Sequence, residues 1–375
     1  MKIGFDAKRL FCNTTGLGNY SRTLVKALGE LYPQVEYILY SPKAPNNLQT
    51  QMFLESDSFK IRTAHFWCKS MWRARGVKKD MARDGLTIFH GLSHELPLGA
   101  KPKGMKYVVT MHDVCYRTFP EMFPWIERQI YKQKYANAIA KADKIVAISE
   151  STKEDLIRLF GVDSSRIEVI YQPLSQTYYT QQPIVHARAT IAHYGIKGDY
   201  VLYVGSINER KNLLGVVRGY AMIDPEKRLP LVVIGAGQGK YQEKVMAEAE
   251  SSGVAQDMVI IDSLSLTSAL QAFYQCATMM VYPSFYEGFG LPVAEALLSG
   301  TPVITSAISS LPEAAGPGAL YVEPNDPSQI SQAIVQLMNN KALRDELAKR
   351  GMSYVLEKFA PIKLTQSMMN LYQSI

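Results

Sequence analysis

Residues 279–295 read Met279-Met280-Val281-Tyr282-Pro283-Ser284-Phe285-Tyr286-Glu287-Gly288-Phe289-Gly290-Leu291-Pro292-Val293-Ala294-Glu295. A short apolar run, Met279–Tyr282, passes into a loop with two glycines and then into a helical pattern that Leu291 opens, with Pro292 near its first turn. Strand, glycine loop and helix in this order make the repeating unit of a parallel sheet. Free amides in such a loop, aided by the helix N-terminus, attract phosphate. Glu287 lies before the helix, and Glu295 is expected in its first turn. A carboxylate would repel a phosphate bound there, so Glu295 is expected to meet neutral donors, and the two hydroxyls of a ribose suit it.

The same alternation of strand and helix extends in both directions. Apolar runs occur at Lys2–Asp6, Val35–Tyr40, Leu86–His90, Tyr107–Met111, Lys144–Ile148 and Ile167–Ile170, and again at Tyr200–Val204, Leu231–Ile234, Met258–Ile261, Met279–Tyr282, Val303–Thr305 and Ala319–Val322. Continuous apolar strands separated by helices predict parallel sheets covered on both faces. At 375 residues, the chain is expected to form two doubly wound α/β domains. The periodicity breaks near Gln172–Pro183, which divides the chain into 1–172 and 173–359. A helical pattern within 360–375 follows Pro361 and is expected to pack back on the first domain. Ligands of open parallel sheets bind at strand carboxyl ends, so a site is expected in a cleft where two such edges face each other.

Three further strand ends carry chemistry. After Tyr203-Val204, the turn Gly205-Ser206 leads to Arg210-Lys211. Fixed cations there would meet the negative charge of a departing diphosphate, Arg with a planar fork and Lys with a compact charge. Gly16 and Gly18 lie in Thr14–Tyr20, read as a loop that lets backbone approach a ligand before a helix at Ser21–Leu28. Ser21 stands where a dinucleotide fingerprint needs its third glycine. His112 ends the run Tyr107–Met111, placed to bond a sugar hydroxyl or handle a proton, and His90 ends another run similarly. No D-x-D pair, Walker loop, G-x-S-x-G or His/Cys cluster of metal spacing occurs, so no metal or cofactor is expected.

The charge is uneven. Residues 1–172 hold 26 Lys+Arg against 17 Asp+Glu, and the remainder 15 against 17. Within 60–83, eight basic residues face one acid, Asp80, with Phe66, Trp67, Met71 and Trp72 interleaved. Such a stretch suits an anionic membrane surface, or equally aromatics in the core with the basic residues solvated, and either better than nucleic acid. Four scattered cysteines, no leader-like N-terminus and no long apolar span lead to the expectation of a cytoplasmic protein, peripheral at most on the inner face of a membrane.

Together the segments FDAKRLFCNTTGLGNYSRTLV, VVTMHDVCYRTFPEMFP, KIVAISESTKEDLIRLFGV, YVGSINERKN, PSFYEGFGLPVAEALLSGTPVITS and SSLPEAAG resemble the group 1, family 4 retaining glycosyltransferases. The spacing of Glu287 and Glu295 is similar to that family's E-x7-E motif. The resemblance implies the GT-B fold, with an N-terminal acceptor domain and a C-terminal donor domain, and a metal-free transfer that retains anomeric configuration. It implies that Glu295 binds ribose hydroxyls, Glu287 and His112 contact the transferred sugar, and Arg210 and Lys211 hold the diphosphate. Phe289 and Gly290 would offer amides, and Gly16 and Gly18 would close over the phosphates. The donor is expected to be a GDP- or UDP-sugar, with mannose favoured, and the acceptor a glycan or lipid-linked glycan of surface polysaccharide synthesis. The alternatives are a sugar-nucleotide epimerase of the same fold and a non-catalytic binding subunit.

Overall fold

A computed structural model describes residues 1–64, 68–264 and 266–375. The chain separates into two compact units, one formed by Met1–Pro173 with Phe359–Ile375 and the other by Leu174–Lys358.

Among the described residues, the first unit holds a seven-stranded sheet of β1 (Lys2–Asp6), β2 (Glu36–Ser41), β3 (Phe59–Thr63), β4 (Ile88–Gly91), β5 (Lys106–Met111), β6 (Lys144–Ala147) and β7 (Ile167–Val169), in the order β3-β2-β1-β4-β5-β6-β7. The second holds a six-stranded sheet of β8 (Val201–Val204), β9 (Leu231–Ile234), β10 (Met258–Ile261), β11 (Met279–Tyr282), β12 (Val303–Ser306) and β13 (Ala319–Val322), in the order β10-β9-β8-β11-β12-β13. Every pairing is parallel. Each order reverses once, between β1 and β4 and between β8 and β11, and ligands of doubly wound sheets bind at such a reversal.

The central strands β8, β9, β11 and β12 are buried along their whole length, as their unbroken apolar sequences require. The helix Pro361–Gln373 belongs to the first unit, where Met368, Met369, Leu371 and Tyr372 join the core with Phe5, Leu24 and Leu28. No described helix is long and apolar enough to cross a membrane.

The strand β3 is absent from the sequence reading, which treated its residues as the start of a basic stretch. Its parallel pairing with β2 sets Lys60 2.6 Å from Glu36 and Arg62 2.9 Å from Asp84. Arg73 is mostly buried between Asp6 and Glu95, and Trp72 is buried with its indole N–H on Asp80. Several charges of 60–83 are thus matched by acids distant in sequence, while Lys69, Arg75 and Lys79 remain exposed. Phe66 and Trp67 lie outside the described residues.

Candidate functional site

In the second unit the loops after β8 and β11, the two strands at the reversal, are joined through Asn212. This residue is buried and left-handed, with φ +57°. Its side chain accepts from the Gly215 N–H at 3.1 Å and donates to the carbonyls of Pro283 and Pro324 at 3.1 and 2.7 Å. The Arg210 carbonyl accepts from the Phe285 N–H at 2.8 Å and the Ser284 hydroxyl at 2.9 Å. One loop therefore templates the other.

Their side chains converge on Glu287. Arg210 lies 2.8 Å from Glu287 Oε1, and its guanidinium also donates to the Tyr286 carbonyl. Lys211 Nζ donates to the Tyr282 hydroxyl at 2.6 Å, which donates to Glu287 Oε1 at 2.7 Å. Lys211 itself stands 3.7 Å from that oxygen. A Cβ at Gly205 would come within 3.0 Å of the Lys211 side chain, so the glycine leaves room for the lysine across the strand end. Burial pushes the Glu287 carboxyl up, but Lys211 and Arg210 outweigh it and hold the group down at about 2. Burial lowers Lys211, and Glu287 opposes that shift. The Glu287 backbone is gripped from both sides, its N–H donating to Ser309 Oγ at 2.9 Å and its carbonyl accepting from Ser310 Oγ at 2.8 Å.

Gly290 caps the helix Leu291–Leu298 with φ +101°, a conformation open to glycine at little cost. Phe289, next to the cap, is buried. Glu295 lies in the second turn of this helix and not in the first as expected, because the cap is Gly290 and the helix already starts at Leu291. Tyr274 donates to Glu295 Oε2 at 3.2 Å, and Tyr178 donates to the same carboxyl. Burial dominates here and raises Glu295 to about 7 against both phenols. Two glutamates eight residues apart thus sit in opposite electrostatic settings, one held by cations and the other by neutral donors.

In the first unit His112 is buried. Its Nε2–H donates to the Leu92 carbonyl at 2.9 Å and its Nδ1 accepts from Gln172 at 2.7 Å. Burial, with His94 adding to it, pushes the ring down to about 3, so it is neutral. Its edge contacts Tyr20 at 4.7 Å between centroids. His90 is also buried, between the hydroxyls of Tyr372 at 2.6 Å and Thr110 at 2.8 Å. Thr110 in turn meets Tyr20 at 2.9 Å.

Gly16 and Gly18 occupy the first turn of a helix, Gly16–Leu31, where the sequence reading placed a loop. Asn13 nucleates the earlier start by accepting from the amides of Thr15 and Gly18 at 3.0 and 2.9 Å. A Cβ at Gly18 would meet the Asn13 carbonyl at 1.8 Å, so close packing requires glycine there.

The same unit holds a cavity of about 380 Å³ near the carboxyl ends of β1, β2 and β4, lined by Asp6, Lys8, Tyr40, Arg73, Phe89, Glu95, Lys134 and Asn137. Arg73 bridges Asp6 and Glu95, and Lys134 lies 2.8 Å from Glu95. Burial and the neighbouring Arg73 lower Lys8.

Sequence reasoning singled out Arg210, Lys211, Glu287, Gly290 and Glu295, and one unit brings them together. It missed Tyr282, Asn212, Ser309, Tyr178 and Tyr274, which connect and orient them. Tyr282 ends an apolar strand and Tyr178 lies in the seam, and only their hydroxyl partners reveal the second role.

Two family models match the chain. The model for glycosyl transferases group 1 matches residues 192–353, and that for glycosyltransferase family 4 matches residues 14–175. The chain is similar to O-antigen chain mannosyltransferase B of Escherichia coli, 28% identical over 396 residues that cover all of both chains. It is similar to O-antigen chain mannosyltransferase RfbU of Salmonella typhimurium, 26% identical over 88% of this chain and 89% of that one. Among solved structures it resembles Alr3699/HepE of Anabaena in complex with UDP, with a TM-score of 0.76 at 14% identity over the whole of both chains. That likeness identifies the two-domain GT-B fold.

Proposed function

We propose that this chain, which belongs to the group 1, family 4 glycosyltransferases, moves mannose from GDP-mannose to a growing surface glycan with retention of anomeric configuration and without a metal ion. The observation that carries the reading is the convergence of Arg210 and Lys211 on Glu287 at the sheet reversal of the second unit.

A diphosphate arriving there competes with Glu287 for the two cations. The amides before Leu291 add neutral donors. Arg210 and Lys211 then stabilise the charge that builds on the departing phosphate oxygen. Glu287, released from its cations, accepts hydroxyls of the transferred sugar, and Glu295 accepts those of the ribose. The bond from the anomeric carbon to the phosphate breaks as the acceptor hydroxyl oxygen bonds to that carbon from the same side. The hydroxyl proton passes to the departing phosphate. In the first unit, His112, neutral and held by Leu92 and Gln172, and the helix start at Gly16 and Gly18 are the groups read for the donor sugar and its phosphates. The acceptor glycan occupies the cavity of the first unit, whose acids and cations are largely matched to one another and suit a hydroxyl-rich ligand.

The two relatives are named mannosyltransferases of O-antigen chains, which favours mannose and a glycan acceptor. The Anabaena structure holds UDP, so uridine donors belong in the test. The test is nucleotide release from GDP-mannose, GDP-fucose, UDP-glucose and UDP-N-acetylglucosamine, with and without EDTA, on mannose-terminated acceptors, with proton NMR of the new linkage. Release of GDP with an α-linked product, undiminished by EDTA, is the expected result. An inverted product, a metal requirement or a uridine donor each overturns its part of the proposal.

A further inference from the structure

The segment by which the chain enters the second unit, read in the sequence as a seam, is bound to the helix Thr267–Cys276. Gln271 donates to the carbonyls of Thr177 and Thr180, both at 2.8 Å. Gln182 donates through its side chain to Gln271 Oε1 at 3.0 Å and through its backbone to Gln275 Oε1 at 3.2 Å. This strap contains one 3₁₀ turn, Gln176–Tyr179. Tyr178 in that turn is buried against Tyr274 of the helix, with ring centroids 6.0 Å apart and edge to face. Both hydroxyls end on the carboxyl of Glu295.

We propose that Tyr178 and Tyr274 are positioning residues for donor binding, which hold the Glu295 carboxylate in one orientation for ligand hydroxyls and so make the strap part of the donor site. The proposal rests on the ribose role given to Glu295 above. The choice of phenols has a physical reason. A lysine or arginine in their place would hold the carboxylate more tightly, but it would also compete with Arg210 and Lys211 for the diphosphate. A buried carboxylate with no donors would take up a proton and lose part of its capacity to accept. Two neutral hydroxyls oppose that tendency while leaving acceptor capacity for a ligand.

The titratable and charged groups that face Glu295 are Tyr178 from the strap, Tyr274 from the helix Thr267–Cys276, and Lys211 from the loop after β8. Burial already raises Glu295 to about 7 while both phenols lower it. Loss of either phenol therefore moves its protonation to higher pH, and the acid limb of donor binding moves with it.

The experiment measures donor-dependent nucleotide release for the parent, Tyr178→Phe, Tyr274→Phe and Glu295→Gln across the acid-to-alkaline range. Phenylalanine keeps each ring in the core, and melting temperatures check the fold. For both phenylalanine variants the donor KM is expected to rise about tenfold near neutral pH, the worth of one hydrogen bond to a charged group. kcat should change little, and KM should return toward the parent value at alkaline pH. A lowered melting temperature with unchanged KM and an unmoved acid limb overturns the inference, since a purely structural role does that. If Glu295→Gln itself leaves donor KM unchanged, the ribose reading fails first. If Glu295→Gln raises KM while neither phenylalanine variant does, the inference alone fails.

Discussion

Arg210 Nη1 lies 2.8 Å from Glu287 Oε1, and the pair closes the reversal of the second sheet from both of its flanking strands. Lys211 reaches the same oxygen through the hydroxyl of Tyr282. Both cations are mostly buried, with side chains 17% and 13% exposed. Glu287 therefore helps balance two charges that water reaches poorly.

Glu287→Gln should lower turnover by about 10²–10³-fold, the effect of removing a charged group from a preorganised site. It should also destabilise the apoprotein by about 3 kcal/mol, because it removes the carboxylate charge that both buried cations meet. Pyrophosphate should restore part of that loss, and more in the variant than in the parent, because an anion replaces the missing charge. Melting temperatures with and without pyrophosphate check this.

Glu295 sets a second dependence, on pH. Its folded pKa is raised from an ordinary 4.5 to about 7. The folded state is thus favoured by its proton below about pH 4.5, and that contribution is lost as pH rises through 7. Glu295→Gln, which cannot ionise, should match the parent at low pH and exceed it at pH 8 by on the order of 1–3 kcal/mol. Urea titrations of the apoprotein at both pH values measure the difference. Greater stability of the parent at pH 8 would reverse the sign of the argument.

Gly290→Ala should cost about 1–3 kcal/mol, since its φ of +101° disfavours any Cβ and the added methyl would press within 3.0 Å of Leu311. Donor affinity should fall with it, because the same loop carries Glu287, which holds Arg210 and Lys211. Thermal melts and donor titrations report the two effects separately.

Tyr372→Phe removes the hydroxyl 2.6 Å from His90 Nδ1 and leaves a buried ring nitrogen without that partner. The expected loss is about 1–3 kcal/mol, confined to the first unit. Trp67, Trp72 and Trp125, the three tryptophans of the chain, all lie between Met1 and Pro173, so selectively excited tryptophan fluorescence follows that unit. A shift confined to a far-UV transition that fluorescence does not share would place the loss elsewhere.

Most strands were legible because buried parallel strands are written as unbroken apolar runs, as in Leu231–Ile234 and Met279–Tyr282. The strand Phe59–Thr63 was not, since an edge strand is wetted and its Lys60 and Arg62 read as surface charge. The candidate site was legible where residues announce themselves by charge or by glycine, as Glu287, Arg210 and Gly290 do. It was illegible where one side chain has two functions, as in Tyr282, or where distant segments meet, as Tyr178 and Glu295 do. The helix start at Gly16 was missed because Asn13, three residues earlier, caps it with its side chain. Spacing alone did not reveal that long-armed cap.

The helix Pro361–Gln373 completes the core built by the first 173 residues. During synthesis, the opening α/β layer must therefore wait, with the seat of Met368 and Met369 vacant, while the whole of Leu174–Lys358 emerges and folds. The segment made first is thus completed by the segment made last.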